Sequence, residues 1–406
     1  METSDLKLAI VVQRYGQEIN GGAEFHARLV AEELARHYKV EVLTTCAYDY
    51  ITWANHYRRG VEEINGITVR RFKVRRKRNP QRFGRIQEYV FNRPHEPEDE
   101  LRWLKEEGPF SPRLIRFIKT HEHDYDYFIF FSYRYYHSYH GINEVPHKSL
   151  LVPTAEKDPV VDLMIFRKFF NKPRALMYNS WEEKEMINAV SRNETVPGVV
   201  VGVGTELPEE SEIRAERFRQ RFGIEGPFVL YIGRIDENKG CHVLFDYYQR
   251  YLREHDTELK LVLMGKSIIP IPDNPAIVPL GFVSNEEKFD GLAACRCLIN
   301  PSLYESLSMI LLEAWAVGKP VLVNADVPVL LGQSKRANAG LWYSSYAEFA
   351  EALNLLGTDE RLCEVLGRNG RKYFRENYTW EVINNKYIEI IEGLRAADLE
   401  GAGEAS

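Results

Sequence analysis

Glu313 is the one ionisable residue in an apolar run, Met309-Ile310-Leu311-Leu312-Glu313-Ala314-Trp315-Ala316. A carboxylate is costly to bury without partners, so in a helix of this composition it must face something polar. Glu305 lies just before that helix, where unsatisfied backbone N–H groups and the positive end of the helix dipole favour anions. A loop carboxylate, a helix N-terminus and a helix carboxylate together suit a nucleotide-linked sugar. The carboxylates accept from hydroxyls, and the phosphates lie near the N–H groups. The same spacing also fits a capping Glu followed by an amphipathic-face Glu, and spacing alone leaves both readings open.

A second cluster is Gly233-Arg234-Ile235-Asp236-Glu237-Asn238-Lys239-Gly240. It leaves a buried strand, turns on glycine and delivers Arg234 and Lys239 close to a helix start. Two cations there make a diphosphate site that needs no metal. Asp236 and Glu237 in the same loop keep open the alternative of an ordinary charged βα connection.

The elements that must position these residues form two successive α/β patterns. In the first half, apolar Lys7 to Gln13 is broken at Asn20-Gly21-Gly22. Helical periodicity follows from Ala23 to His37, then a strand at Val40 to Thr45, which reads as a βαβ unit of a parallel sheet. Further strands are expected at Tyr127 to Phe131, Ser149 to Val152, Ala175 to Tyr178 and Val199 to Val203. A polar stretch from Gly204 to Gly226 reads as a surface linker running into a short helix. The pattern then restarts with a strand at Phe228 to Ile232, a helix from Cys241 to Glu254 and a strand at Leu259 to Met264. Later strands are expected at Ala276 to Val278, Cys297 to Asn300 and Pro320 to Val323, with helices at Glu286 to Ala294, Ser308 to Val317 and Ala347 to Leu356. The fold class is α/β: two Rossmann-like, doubly wound domains facing a central cleft.

Composition excludes several alternatives. At 406 residues the chain exceeds what one hydrophobic core usually organises. Its 44% apolar and 28% charged content excludes disorder and low complexity. A net charge of −6 argues against nucleic acid as a partner. The apolar run Leu8-Ala9-Ile10-Val11-Val12 is strand-length and lacks a basic leader, so the expectation is a cytoplasmic protein in a reducing compartment, with five unpaired cysteines.

With these residues assembled, the chain resembles the retaining family-4 glycosyltransferases of the GT-B fold. The resemblance rests on the E-x7-E pair Glu305 and Glu313 with Ala314 and Gly318-Lys319-Pro320, on Gly233-Arg234 with Asn238-Lys239-Gly240, on Gly21-Gly22-Ala23-Glu24, and on Asn369-Gly370 with Tyr378-Thr379-Trp380. It implies that Arg234 and Lys239 hold the donor diphosphate, Glu313 the ribose hydroxyls and Glu305 the sugar. Gly21, Gly22, Gly233 and the loop Ser306-Leu307-Ser308 then belong to the donor site. It further implies an acceptor-side domain over 1–205, a donor domain over 206–378, and a C-terminal helix, 379–398, crossing back to the first domain. No metal and no cofactor besides the nucleotide-diphosphate sugar substrate are expected.

Three departures from the family pattern stand out. Thr154-Ala155-Glu156 replaces the family's Thr-x-His, which makes Glu156 the expected contact to the donor sugar or acceptor hydroxyl. Glu305-Ser306-Leu307-Ser308 replaces E-G-F-G, and Val201-Gly202-Val203-Gly204 replaces N-G-V-D.

Asp124-Tyr125-Asp126, after His121 and His123, resembles a metal-binding D-x-D but precedes its strand instead of following it. Gly202-x-Gly204 lacks the third glycine of a dinucleotide fingerprint. Arg70 to Gln87 holds nine basic residues and no acidic one. It reads either as a patch for anionic lipid on the inner membrane face or a diphosphate-linked acceptor, or as a solvated loop without an amphipathic helix. Tyr133, Tyr135, Tyr136, His137 and Tyr139 fit sugar stacking or domain packing.

The expected function is transfer of a sugar, with retention, to a glycan or lipid-linked acceptor in cell-surface polysaccharide assembly. Alternatives are a soluble disaccharide or sugar-phosphate synthase and a non-catalytic nucleotide-sugar-binding subunit.

Overall fold

The computed structural model describes residues 5–19, 21–205 and 207–404; Asn20 of the glycine turn and Glu206 of the polar stretch lie outside the described residues. The chain divides into two compact units, one running to Val201 and resuming at Asn384, the other Gly202–Ile383.

The first unit contains β1 (Lys7–Val11), β2 (Lys39–Thr45), β3 (Gly60–Ile64), β4 (Ile67–Phe72), β5 (Tyr127–Phe131), β6 (Ser149–Val152), β7 (Ala175–Tyr178) and β8 (Gly198–Val200). Their order in the sheet is β3-β4-β2-β1-β5-β6-β7-β8. All neighbours are parallel except β3 and β4, a hairpin closed by Asn65-Gly66, both with positive φ. Every residue of β5, β6 and β7 is buried, as expected of strands covered on both faces. The expected strand from Val199 to Val203 ends at Val200.

The second unit contains β9 (Phe228–Ile232), β10 (Lys260–Met264), β11 (Ile277–Gly281), β12 (Leu298–Asn300), β13 (Val321–Asn324) and β14 (Gly340–Tyr343). They pair all-parallel in the order β11-β10-β9-β12-β13-β14. This is the doubly wound order 3-2-1-4-5-6, so the winding reverses between β9 and β12. Its core packs Val229, Tyr231, Leu261, Leu263 and Ile299 against Leu244, Tyr248 and Phe349 of the covering helices.

The long helix Trp380–Glu404 closes the chain, and from Asn384 onward it belongs to the first unit. Tyr387 and Ile391 are buried there. Asn384 Nδ2 donates to Glu33 Oε2 at 2.9 Å, and Tyr127 Oη donates to Asp398 at 2.6 Å. Among the described residues, no helix is long and apolar enough to cross a membrane.

The basic segment is a solvated loop only over residues 73–79. Arg70 and Arg71 lie on β4, and residues Pro80–Asn92 form a helix capped by Asn79. Carboxylates distant in sequence neutralise much of it. Arg70 pairs with Glu41 at 2.7 Å, Arg78 with Glu107 at 2.8 Å and Arg82 with Glu106 at 3.1 Å. Arg71 pairs with Glu62 and Arg76 with Glu106. Lys73, Arg75, Lys77 and Arg85 are exposed.

Candidate functional site

The two chemistry-bearing loops of the second unit leave β9 and β12, the strands that flank its reversal of winding. In sheets of this kind ligands gather at the carboxyl ends of such strands. The β9 loop runs from Gly233, at φ +149°, to Gly240, at φ +67°. A β-carbon on Gly240 would lie 2.0 Å from the carbonyl oxygen of Pro301 in the β12 loop, so the two loops meet at van der Waals distance only because this residue has no side chain. Leu303 N–H donates to the Asn238 carbonyl at 3.1 Å, a second tie between them.

Within this frame Asp236, buried, organises the cations. It accepts from the guanidinium of Arg234 and from the backbone N–H of Lys239 at 2.8 Å. Arg234 keeps nearly half of its side chain in solvent. The Lys239 ammonium donates to Glu305 Oε1 at 2.7 Å. Lys239 and Glu305, expected to address phosphate and sugar separately, are therefore one ion pair that bridges the two loops. Asp236 holds its own loop, while Lys239 reaches across to Glu305.

The β12 loop owes its shape to amide side chains. Asn300 Oδ1 accepts from Ser302 N–H at 3.0 Å, and Asn300 Nδ2 donates to Ser308 Oγ at 2.8 Å. Ser308 occupies the N-cap position of the helix Met309–Ala316, Leu307 is buried, and Ser306 is half-buried. Glu313 sits in this helix, buried, with Lys288 Nζ 2.7 Å from Oε1. Burial raises its carboxyl above the usual range, and Lys288 opposes that rise. Sequence reasoning missed Lys288. It stands one residue after Glu287, which forms a capping box with Ser284, and that Ser-x-x-Glu signal was readable.

In the first unit the corresponding reversal lies between β1 and β5. Gly21 is the N-cap of helix Gly22–Leu34, one residue earlier than periodicity suggests. A β-carbon on Gly21 would fall 2.3 Å from Glu24 Oε2, because Glu24 turns back to a buried ion pair with Arg14 at 2.6 Å. Gly22 has open space at the same position. Arg14, which also donates to the Tyr48 carbonyl at 2.7 Å, was not singled out from the sequence. Glu156 lies in the loop leaving β6, half-buried.

Of the aromatic run, Tyr133 and His137 are buried, and Tyr135, Tyr136 and Tyr139 are half-buried. Tyr133 is buried against Phe166, with ring centroids 4.8 Å apart, Tyr135 meets Trp53 at 5.6 Å, and Tyr139 stacks on Phe169 at 5.3 Å. His137 is fully buried, and burial drives its pKa down to about 3 against the opposing pull of its hydrogen bond to the Phe131 carbonyl. Asp126 accepts from Lys7 N–H at 2.7 Å and so anchors the start of β1. All five cysteines are buried thiols.

Residues 212–373 match the model of the family described as Glycosyl transferases group 1. The second unit carries a Glycosyl transferases group 1 domain. A mannosylfructose-phosphate synthase of Agrobacterium fabrum is 29% identical over 210 residues, 45% of this chain and 44% of that protein, so the match spans less than half of the synthase. An uncharacterized glycosyltransferase of Methanocaldococcus jannaschii, MJ1607, is 22% identical over 95% of this chain and 97% of its own. Among solved structures, Anabaena Alr3699/HepE in complex with UDP and glucose superposes with a TM-score of 0.68 at 16% identity, covering 96% of this chain and all of that one. The fold is that of the GT-B glycosyltransferases.

Proposed function

We propose that this glycosyltransferase moves a sugar, with retention of configuration, from a nucleotide-diphosphate donor to a hydroxyl of a glycan or lipid-linked acceptor in polysaccharide assembly. The observation that carries the reading is the Lys239–Glu305 pair at the reversal of winding, with Arg234 beside it. A donor diphosphate there takes Lys239 from Glu305. That frees the carboxylate to accept from a sugar hydroxyl while Arg234 and Lys239 stabilise the charge that develops on the leaving phosphate. Glu313, held by Lys288 in the helix beyond, accepts from the ribose hydroxyls. Glu156 contacts the sugar or the acceptor. Exposed Lys73, Arg75, Lys77 and Arg85 face an anionic acceptor or the membrane surface that carries it.

A second reading is a sugar-phosphate synthase, favoured by the likeness to the mannosylfructose-phosphate synthase. Incubation with UDP-, GDP-, ADP- and dTDP-sugars, each with lipid-diphosphate or sugar-phosphate acceptors, separates the two. Anomeric proton couplings of the product report retention. Binding of donors without transfer or hydrolysis in any combination would leave only a nucleotide-sugar-binding subunit.

A further inference from the structure

The helix Trp181–Ser191 of the first unit begins Ser180-Trp181-Glu182-Glu183, the pattern of a capping box, and Ser180 Oγ accepts from Glu183 N–H at 3.1 Å. Glu183 does not return the bond to Ser180. Its carboxylate instead accepts from two backbone N–H groups outside the helix, Ala155 at Oε1 and Asn179 at Oε2, both at 2.5 Å. The residue is 2% exposed. Its oxygens join the loop leaving β6 to the loop leaving β7, one residue before Glu156 on the first of them.

That first loop is held in an unusual conformation. Thr154 has φ +50° and Ser132, at the end of β5, has φ +65°. Neither is glycine, and a β-branched residue rarely adopts this region unless its surroundings impose it. The two hydroxyls bond each other at 2.7 Å, and Tyr133 N–H donates to the Pro153 carbonyl at 3.0 Å. On the far side, Asp158 N–H donates to the Glu156 carbonyl at 2.8 Å while the Asp158 carboxylate pairs with Arg134 at 2.9 Å. The segment from Thr154 to Asp158 is thus clamped at both ends, and the carboxylate of Glu183 takes up the N–H of the residue between Thr154 and Glu156.

We propose that Glu183 is a positioning residue for Glu156: by accepting from Ala155 N–H it fixes the left-handed turn at Thr154 and with it the direction in which Glu156 leaves the β6 loop. The kinetic part of this inference rests on the proposed sugar transfer; the structural part does not. Burial favours the neutral form of Glu183, the two N–H bonds oppose that, and Glu156 nearby adds to the rise. Tyr178 on β7 and Tyr387 on the C-terminal helix are the other titratable groups within its electrostatic reach.

The test uses the full chain with Glu183→Gln, which keeps one acceptor oxygen and turns an NH2 group toward the other N–H. Hydrogen exchange of the Ala155 or Asn179 amide should be at least tenfold faster in the variant. Affinity for UDP or GDP should be unchanged. Turnover should fall at least fivefold in the wild-type background and less than twofold further in the Glu156→Ala background, since the two changes act on one contact. Unchanged exchange at both amides, or the same fold-loss of turnover in both backgrounds, would overturn the proposal. Should the Gln variant not fold, Glu183→Asp keeps the carboxyl group but is one methylene too short to reach both amides, and it is read by the same measurements. A wild-type protein that binds nucleotide-sugars and turns none over would remove the transfer reading, and the exchange rates alone would then decide the role of Glu183.

Discussion

Breaking the Lys239–Glu305 pair from either side should have opposite effects on nucleotide binding. Lys239→Ala removes the charge-assisted contact proposed to the diphosphate, worth about 1.5–3 kcal/mol. In the wild type that contact forms only after Lys239 leaves Glu305. Lys239 is 32% exposed and Glu305 14%, so the pair is solvent-screened and worth about 0–1 kcal/mol. The net loss on Lys239→Ala is therefore about 0.5–3 kcal/mol, from twofold to roughly 150-fold in Kd. Glu305→Gln leaves Lys239 in place and abolishes the competing pair. Free UDP or GDP should bind as well as to wild type or up to about fivefold tighter, with the gain shrinking as salt is raised. Turnover in the same variant should fall, because the sugar loses its acceptor. Isothermal titration of both variants with the nucleoside diphosphate that binds wild type, at low and high salt, reads the two signs directly. Equal weakening of nucleotide binding by both substitutions would refute the division of labour between the ammonium and the carboxylate.

Other outcomes follow from the same geometry. Gly240→Ala places a methyl against the Pro301 carbonyl at a positive φ that alone costs about 1–2 kcal/mol, so it should lower Tm and abolish donor binding, whereas Gly22→Ala, with open space, should leave Tm unchanged. Lys288→Met leaves the buried Glu313 without its cation and should destabilise the fold by about 3–5 kcal/mol in urea unfolding, with Glu313→Gln restoring part of the loss. Glu183 keeps its proton up to about pH 8 in the folded chain, against an ordinary value of 4.5, with Glu156, Tyr178 and Tyr387 the titratable groups around it. Between those values the folded state binds more protons than the unfolded one, so this residue makes stability fall as pH rises from about 4.5 to about 8. Glu183→Gln should remove that slope; an identical pH dependence in the variant would contradict it. Chelation with EDTA should leave transfer intact, since the proposal has Arg234 and Lys239 supply the charge at the diphosphate.

The loops that leave β9 and β12 were legible because each follows a continuous apolar strand and breaks at residues with a local reason to turn, Gly233 in one and Asn300-Pro301-Ser302 in the other. Their partners were not. Glu305 with Lys239 and Lys288 with Glu313 are pairs between elements whose adjacency follows from strand order, and strand order is decided by packing over the whole sheet. The basic segment shows the same limit. Its own sequence holds no acid, and Glu41, Glu106 and Glu107 reach it from β2 and from the helix Pro97–Glu107. Some signals were present and passed over. Asn65-Gly66 between two β-rich runs is a hairpin turn, and the helices Pro80–Asn92, Pro97–Glu107 and Pro112–Thr120 each begin on a proline, a residue suited to the first helical position. The tyrosines after β5 could not be assigned from sequence, because stacking on a ligand and packing on Phe166 or Phe169 ask for the same side chain.

The central claim is that Arg234 and Lys239 hold the diphosphate of a sugar donor at the reversal of winding in the second unit. Steady-state transfer from the donor identified in the nucleotide-sugar screen, compared between wild type and Arg234→Ala/Lys239→Ala, tests it most directly. The double variant should remain folded and lose at least a hundredfold in kcat/KM, about 2.7 kcal/mol of transition-state stabilisation. A folded double variant that transfers sugar at the wild-type rate would contradict the claim.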